Sequence, residues 1–445
     1  MSDLLSIGAS GVRAYQSALS VTGENIANSG AAGYVRRSVR LTEMGAGARL
    51  VDVPAAGNGV LMTGIVRSTD VYASQAVRSA SADLSRTTAG VQWLDRIEKT
   101  LTGNELSARM TGFFGSANTL AAEPDSTALR QGMLSAAESL GIAFTATGQS
   151  FDQIDQDMDA AGRQATTQLN ALGRALVQIN DGLGRTTPNT AAAAQLTDQR
   201  DQILDQMSAI VDIDVTTDSL GRTNVKLGGA NGQAFVNQNL SGAVAYQRAK
   251  GEVVLAVSMN GGVGILSPSG GALAGIVDGA QRVSAAREKV EDVAADFVAR
   301  VNANQKAGED QTGTAGQAMF TVGGRPTDIA VALTSGAQIA AADPGGGRRD
   351  SSKLTDLEGL RGAKGWEASL TATITNNAST LDQRNTIAAA QGAIRDGAMS
   401  ALTSTTGVNL DSEAVELMRY QQAYQASSRV IQIARDTLQT ILDIR

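Results

Sequence analysis

Apolar side chains recur at alternating steps of three and four at both ends of the chain. Near the start the positions are Leu5, Gly8, Val12, Tyr15, Leu19, Thr22 and Ile26. Near the end they are Leu410, Glu413, Leu417, Tyr420, Tyr424, Ser427, Ile431, Ala434, Leu438 and Ile441. On an α-helix this spacing draws one apolar seam along one side. Two such seams at opposite ends of one chain can bury each other. The spacing therefore predicts a coiled-coil pairing of the termini, in a chain built to assemble rather than to enclose an active site. The seams are thin, because Gly8, Ser427 and Ala434 are weak knobs. Burying a few large side chains does not offset the entropy of ordering a whole isolated helix. Both ends are expected to be mobile in a lone subunit and to order when neighbouring subunits add contacts.

The first helix reads from Asp3 to about Asn28 and stops at Gly30 and Gly33. Residues 34–72 read as extended: Val51 and Val53 alternate with polar neighbours, and Val60, Met62, Ile65 and Val66 follow around Gly64. Helical spacing returns from about Asp70 to Thr102 and breaks at Gly103-Asn104. It resumes through Phe113, Phe114 and Leu120, and ends at Pro124. A long helix covers about 126–184, with its best seam at Leu169, Leu172, Leu176, Ile179 and Leu183. After a turn-rich break from Gly184 to Pro188, another helix carries Leu196, Ile203, Met207 and Ile210. Helices this long usually pack lengthwise in bundles.

At Val211 the period changes to two. Val211, Ile213 and Val215 alternate with polar residues, and short strands follow at Val225–Leu227, Ala234–Val236, Val244–Tyr246 and Val253–Val257. This predicts one small antiparallel sheet of about five strands. A helix returns over about 272–304. Residues 306–365 lack a period; with Gly345-Gly346-Gly347 and one strand at Ile329–Leu333, they read as a loop-rich insertion on the outside. From Trp366 onward the chain is helical, with a break near Thr405 to Gly407. The expected fold is mainly α with a small antiparallel β subdomain, a long-helix bundle whose N- and C-terminal helices pair as a coiled coil. The expected domains are discontinuous. Residues 1–60 with 404–445 form the terminal assembly unit, and 61–210 with 272–305 and 366–403 form the bundle. Residues 211–271 form the β subdomain, and 306–365 the outer insertion.

Composition narrows the function classes. The 445 residues include no Cys and no His, which removes a Ser-His-Asp triad, a Cys nucleophile and a His or Cys zinc site. None of the GxSxG, SxxK, phosphate-loop or GxGxxG patterns occurs. Asp212, Asp214 and Asp218 suggest a calcium loop, but Thr217 stands where such a loop needs Gly and Thr223 where it needs Glu. No catalytic, cofactor-binding or metal residue is expected. Net charge is −7, and no basic run exceeds Arg36-Arg37 or Arg348-Arg349, so no nucleic-acid partner is expected. No apolar stretch is long enough to span a membrane. The opening Met1-Ser2-Asp3 lacks a basic region followed by an apolar core, so no cleavable secretory signal is expected.

Asn25-Ile26-Ala27-Asn28, four intervening residues, then Gly33-Tyr34 and Arg36-Arg37 resemble the N-terminal signature of flagellar rod, hook and junction proteins. The usual Thr-Pro before the Gly-Tyr is here Ala31-Ala32. The C-terminus resembles the same superfamily, from Gly407-Val408-Asn409-Leu410-Asp411 through Arg419-Tyr420-Gln421-Gln422 to Leu442-Asp443-Ile444-Arg445. Three internal stretches agree: Gly59-Val60 through Arg67, Asp70 and Tyr72; Phe113-Phe114 with Glu123-Pro124-Asp125-Ser126 and Arg130-Gln131; and Leu196-Thr197-Asp198-Gln199-Arg200-Asp201-Gln202. Val-Asn-Leu-Asp with Arg-Tyr-Gln-Gln points to the hook-associated branch.

The resemblance implies a structural, non-enzymatic subunit between hook and filament. It would be exported by the flagellar type III apparatus and located in the extracellular flagellum, cytoplasmic only before export. Its implied partners are other copies of itself, the hook subunit, an adjacent hook-associated protein and an export chaperone. The candidate assembly residues are Leu5, Val12, Tyr15, Leu19, Ile26, Tyr34, Leu410, Leu417, Tyr424, Ile431 and Leu438. The chaperone would take Leu417, Tyr424, Ile431, Leu438 and Ile441. Each seam residue reads equally as intramolecular core, and Tyr34 with Arg36 and Arg37 as a subunit contact or a solvated turn. Another axial protein, such as the hook or distal rod subunit, and a generic coiled-coil scaffold are the alternatives.

Overall fold

The computed structural model describes residues 2–31, 33–44, 59–249 and 251–443. Val51 and Val53 lie outside the described residues. Helix α1 (Ser2–Ala27) leads into a hairpin of β1 (Arg37–Glu43) and β2 (Val60–Arg67). Four helices follow: α2 (Val71–Gly103), α3 (Leu106–Ala122), α4 (Thr127–Arg185) and α5 (Ala191–Ile210). Side-chain oxygens start three of them. Asp70, Ser126 and Thr190 each accept a backbone N–H from the first turn of α2, α4 and α5. At 59 residues α4 is about 90 Å long. It is the spine on which the other parts sit.

The β subdomain holds seven strands in two sheets rather than five in one. β3 (Ile213–Thr217), β4 (Thr223–Leu227), β5 (Gln233–Asn237) and β6 (Leu240–Ser241) make the first. The second is β7 (Ala243–Ala249), β8 (Glu252–Met259) and β9 (Gly262–Leu266). All ladders are antiparallel. Two strands are absent from the sequence reading, the two-residue β6 and β9. Asn260 and Gly261, both at positive φ, turn Met259 directly onto Gly262, the geometry a two-residue hairpin requires.

Two asparagines of α4 stand in for strand neighbours. Asn170 donates to the Val244 carbonyl (2.9 Å) and accepts the Val244 N–H (2.7 Å). Asn180 does the same for Thr223, at 2.9 Å each way. The carboxylates Asp152, Asp155 and Asp159 on α4 receive arginines from three directions, Arg248, Arg287 and Arg325. Burial pushes the Asp159 carboxyl up, but hydrogen bonds from Arg248 and Tyr246 win and hold it below its usual range.

Helix α6 (Gly271–Lys306) returns to the bundle. The next segment is largely without regular structure, but it packs into the core rather than standing outside it. It forms a ladder of β10 (Phe320–Val322) with β11 (Ile329–Val331), a 3-10 turn at Gly336–Gln338, and helix α7 (Ser352–Lys364). Met319, Phe320, Ile329, Leu333, Ile339, Leu354 and Leu357 belong to the same core as the bundle. Their apolar positions come singly, without a period, which is why the sequence pattern leaves them as loop. Arg130 fastens the segment to the spine: this buried guanidinium donates to the carbonyls of Pro124 and Ile339, each at 2.6 Å. All seven Phe of the chain are fully buried. Phe113, Phe114, Phe297, Phe320 and Trp366 pack with ring centroids 5.3–6.1 Å apart. Helices α8 (Trp366–Thr406) and α9 (Leu410–Asp443) complete the chain.

Candidate assembly interface at the paired chain ends

Helices α1 and α9 pair antiparallel. A Cβ on Gly8 would sit 2.7 Å from Ile431 Cγ1, and one on Gly11 2.5 Å from Ser427 Oγ. Further along, the Tyr15 and Tyr420 rings lie 6.4 Å apart, and Asn25 meets Glu413. The terminal pairing expected from the seams is present in one chain. Its innermost line on α1 is not the line of large residues, however. Gly8, Gly11, Ala14, Ala18, Val21 and Asn25 are buried, whereas Leu5, Val12, Tyr15, Leu19 and Ile26 are half-buried one step around the helix. Small residues let the two backbones approach, and the larger ones flank the contact.

On α9, Leu417, Tyr424 and Ile431 are half-buried against α1, while Leu410, Leu438 and Ile441 are exposed. A second apolar line on α9 faces solvent at Val415, Met418 and Ile433. Leu442 extends the exposed apolar surface at the C-terminal end. Single exposed apolar residues are ordinary, and several on one helix make a candidate contact face.

At the inner end of the pair lies a polar knot. Asn25 Nδ2 donates to the Arg37 carbonyl (2.7 Å) and to Glu413 Oε2 (3.0 Å). Its Oδ1 accepts the Arg37 N–H (3.0 Å) and the Tyr34 hydroxyl (2.9 Å). Arg36 Nε donates to Glu413 Oε1 at 2.6 Å, and the Arg36 N–H to the Thr406 carbonyl at 2.9 Å. Arg37 lies over the Tyr34 ring, 4.9 Å from its centroid, and reaches Asp198 Oδ2 at 2.8 Å. Arg67 takes the other Asp198 oxygen at 2.6 Å and bridges to Asp201 at 2.8 Å. Burial pushes the Tyr34 phenol up, so it stays protonated and donating.

Three stretches that stood apart as motifs thus meet in space: the residues after α1, the start of α9 and the Asp198–Gln202 stretch of α5. Gly33 is needed there twice over. Its φ is +76°, and a Cβ would meet Gln202 Nε2 at 2.1 Å. Asn25, Asp198 and Arg67 were visible only as motif letters; their pairing partners are remote in sequence. A cleft of about 200 Å³ opens beside the knot, lined by Ala18, Thr22, Arg36, Arg37, Glu413 and Tyr420 among others. Among the described residues, no cluster of acidic side chains could hold a metal ion. No described helix is long and apolar enough to cross a membrane.

The fold is a long helical bundle with small sheets on its spine and its two chain ends locked together. Residues 93–320 match the flagellar hook-associated protein FlgK helical domain, about half of the chain, and the chain belongs to that family. Residues 400–444 match the C-terminal domain of flagellar basal body rod FlgEFG proteins. Flagellar hook-associated protein 1 of Escherichia coli K12 is 25% identical over an alignment covering 100% of both chains. Its Salmonella typhimurium counterpart is 27% identical over 73% of this chain and 60% of its own length. The solved flagellar hook junction protein FlgK of Burkholderia pseudomallei superposes with a TM-score of 0.50 at 23% identity. That superposition covers 56% of this chain and 47% of the other, and it shows the likeness of fold.

Proposed function

We propose that this chain is the structural subunit that joins flagellar hook to filament, and that it performs no catalysis. It passes out of the cell through the flagellar type III apparatus and assembles outside. The paired α1 and α9 are its assembly unit, within the discontinuous domain 1–60 with 404–445. Residues 61–210 with 272–305 and 366–403 form the bundle domain, 211–271 the β subdomain, and 306–365 a segment docked on that bundle. The observation that carries this reading is the polar knot. It makes one unit of two distant chain ends while leaving apolar side chains of α9 exposed for neighbours.

Leu410, Leu438 and the solvent-facing line of α9 supply contacts to the next subunit. The half-buried Leu5, Val12, Tyr15, Leu19, Ile26, Leu417, Tyr424 and Ile431 hold the pair together and form its rim. Tyr34 acts from inside as a brace, since its hydroxyl is committed to Asn25. An export chaperone engages Leu417, Tyr424, Ile431, Leu438 and Ile441 before α1 folds back. The first three face α1 in the finished pair, so chaperone and α1 compete. The hook subunit and an adjacent hook-associated protein are the remaining partners.

The test is a deletion strain complemented with the chain, intact or lacking 408–445, examined by motility and electron microscopy. Hooks without filaments in the deletion, rescued only by the intact chain, support the junction role. Normal filaments in the deletion overturn it in favour of a generic scaffold. Loss of the hook itself points to a hook or rod subunit.

A further inference from the structure

The α1–α9 contact lacks a strong register of its own. Its innermost residues on α1 are Gly8, Gly11, Ala14 and Ala18, followed by Val21 and Asn25 towards the knot, and along Gly8–Ala18 a slide of one turn exchanges one small residue for another. Large knobs in matched holes would forbid such a slide, and a single polar group in a helical seam can do the same. Glu413 is that kind of group. It is 1% exposed, the most buried carboxylate among the described residues. Both its oxygens are taken, by Arg36 at 2.6 Å and by Asn25 at 3.0 Å.

We propose that Glu413 is the register pin of the terminal helices. Its carboxylate seats α9 at one position along α1 and, through Asn25, Arg37 and Asp198, ties that position to α5 of the bundle. The seat is fixed on the bundle side. The Arg36 N–H is bound to the Thr406 carbonyl (2.9 Å), and the Arg37 backbone holds Asn25 from both sides. A one-turn slide of α9 carries Glu413 away from both donors and leaves a buried charge uncompensated, which is strongly unfavourable. Glu416, one turn on, would have to leave its ion pair with Arg419 (2.6 Å) to take that seat. The pin is a positioning residue. It rests on the assembly reading only for why register matters, and its test does not require filaments to form.

The chain contains no Cys, so introduced pairs are its only thiols. Two full-length double variants serve as reporters. Gly11→Cys with Ser427→Cys reads the observed register, since a Cβ on Gly11 would lie 3.1 Å from Ser427 Cβ, close to disulfide span. Gly11→Cys with Ala423→Cys reads a one-turn slide. With Glu413 present, cross-linking at 427 should exceed that at 423 at least tenfold. Adding Glu413→Leu should bring the two within about threefold, and Arg36→Gln should move them the same way. Glu413→Gln, which keeps the shape, should restore part of the preference. An unchanged tenfold preference in both Glu413→Leu and Arg36→Gln overturns the proposal. So does loss of both cross-links, because Glu413 would then hold α9 on rather than choose its position. Failed complementation in cells with normal cross-linking would count against the assembly reading alone.

Discussion

Asn25 and Glu413 stand 388 positions apart in the chain and share a hydrogen bond of 3.0 Å. The bond closes the chain on itself. Around it the structure places paired and largely buried charges, with Arg37 Nε alone among their nitrogens buried without a partner; under that condition removing one partner costs far more than the pair contributes.

Asp198 is the clearest case. It accepts from Arg37 and Arg67, both nearly buried. Asp198→Ala leaves Arg37 with Glu24 at 3.8 Å and Arg67 with Asp201 at 2.8 Å as their remaining carboxylates, and should lower unfolding stability by about 3 kcal/mol. Urea unfolding followed by circular dichroism measures it. A loss under about 1 kcal/mol would mean that the arginines find water or new partners.

Arg130→Met leaves the carbonyls of Pro124 and Ile339 without their donor. The expected cost is about 1–3 kcal/mol, felt first where the 306–365 segment meets the spine. Limited proteolysis should cut the exposed 344–349 loop several times faster than in the parent chain. Equal cleavage rates would show that the apolar contacts of Phe320 and Ile339 suffice to hold the segment.

Acid should weaken the junction of α3, α7 and α8. A hydrogen bond from Arg361 holds Glu367 below its ordinary 4.5, against burial that pushes it up, and Thr111 adds a second bond. The folded value is the lower one, so this contribution is complete above about pH 4.5 and is lost as pH falls through the folded value. The effect is about 0.5–1 kcal/mol for a partly exposed pair. Thermal unfolding of Glu367→Gln against the parent should differ at pH 7 and converge only as pH falls below the lowered folded value of Glu367. A difference that persists in acid would refute the assignment.

Amide exchange on the isolated subunit should be graded along the terminal pair. Protection should be greatest at about 18–25 and 406–417, beside the knot, and least over 434–443, where most α9 side chains face solvent. Uniformly fast exchange at both ends would show that pairing waits entirely for neighbouring subunits.

The long helices were legible because their period persists over many turns; α4, read as about 126–184, spans Thr127–Arg185. Short features fared worse. The Asn260-Gly261 turn carries a hairpin signal, yet β9 passed unread because Gly262 and Gly264 dilute the alternation. At the candidate site, spacing located both helices but weighted the large apolar residues. Contact distance instead favoured Gly8 and Gly11, whose value lies in what they lack. Arg37 finds Asp198 161 positions away, a pairing that no local pattern carries.

The break between α8 and α9 spans only residues 407–409, and the residues after α1 run beside it. Arg36 grips both sides of that break: its N–H holds the last carbonyl of α8 and its guanidinium the first turn of α9. A load that parts α8 from α9 must first pull one early residue off both.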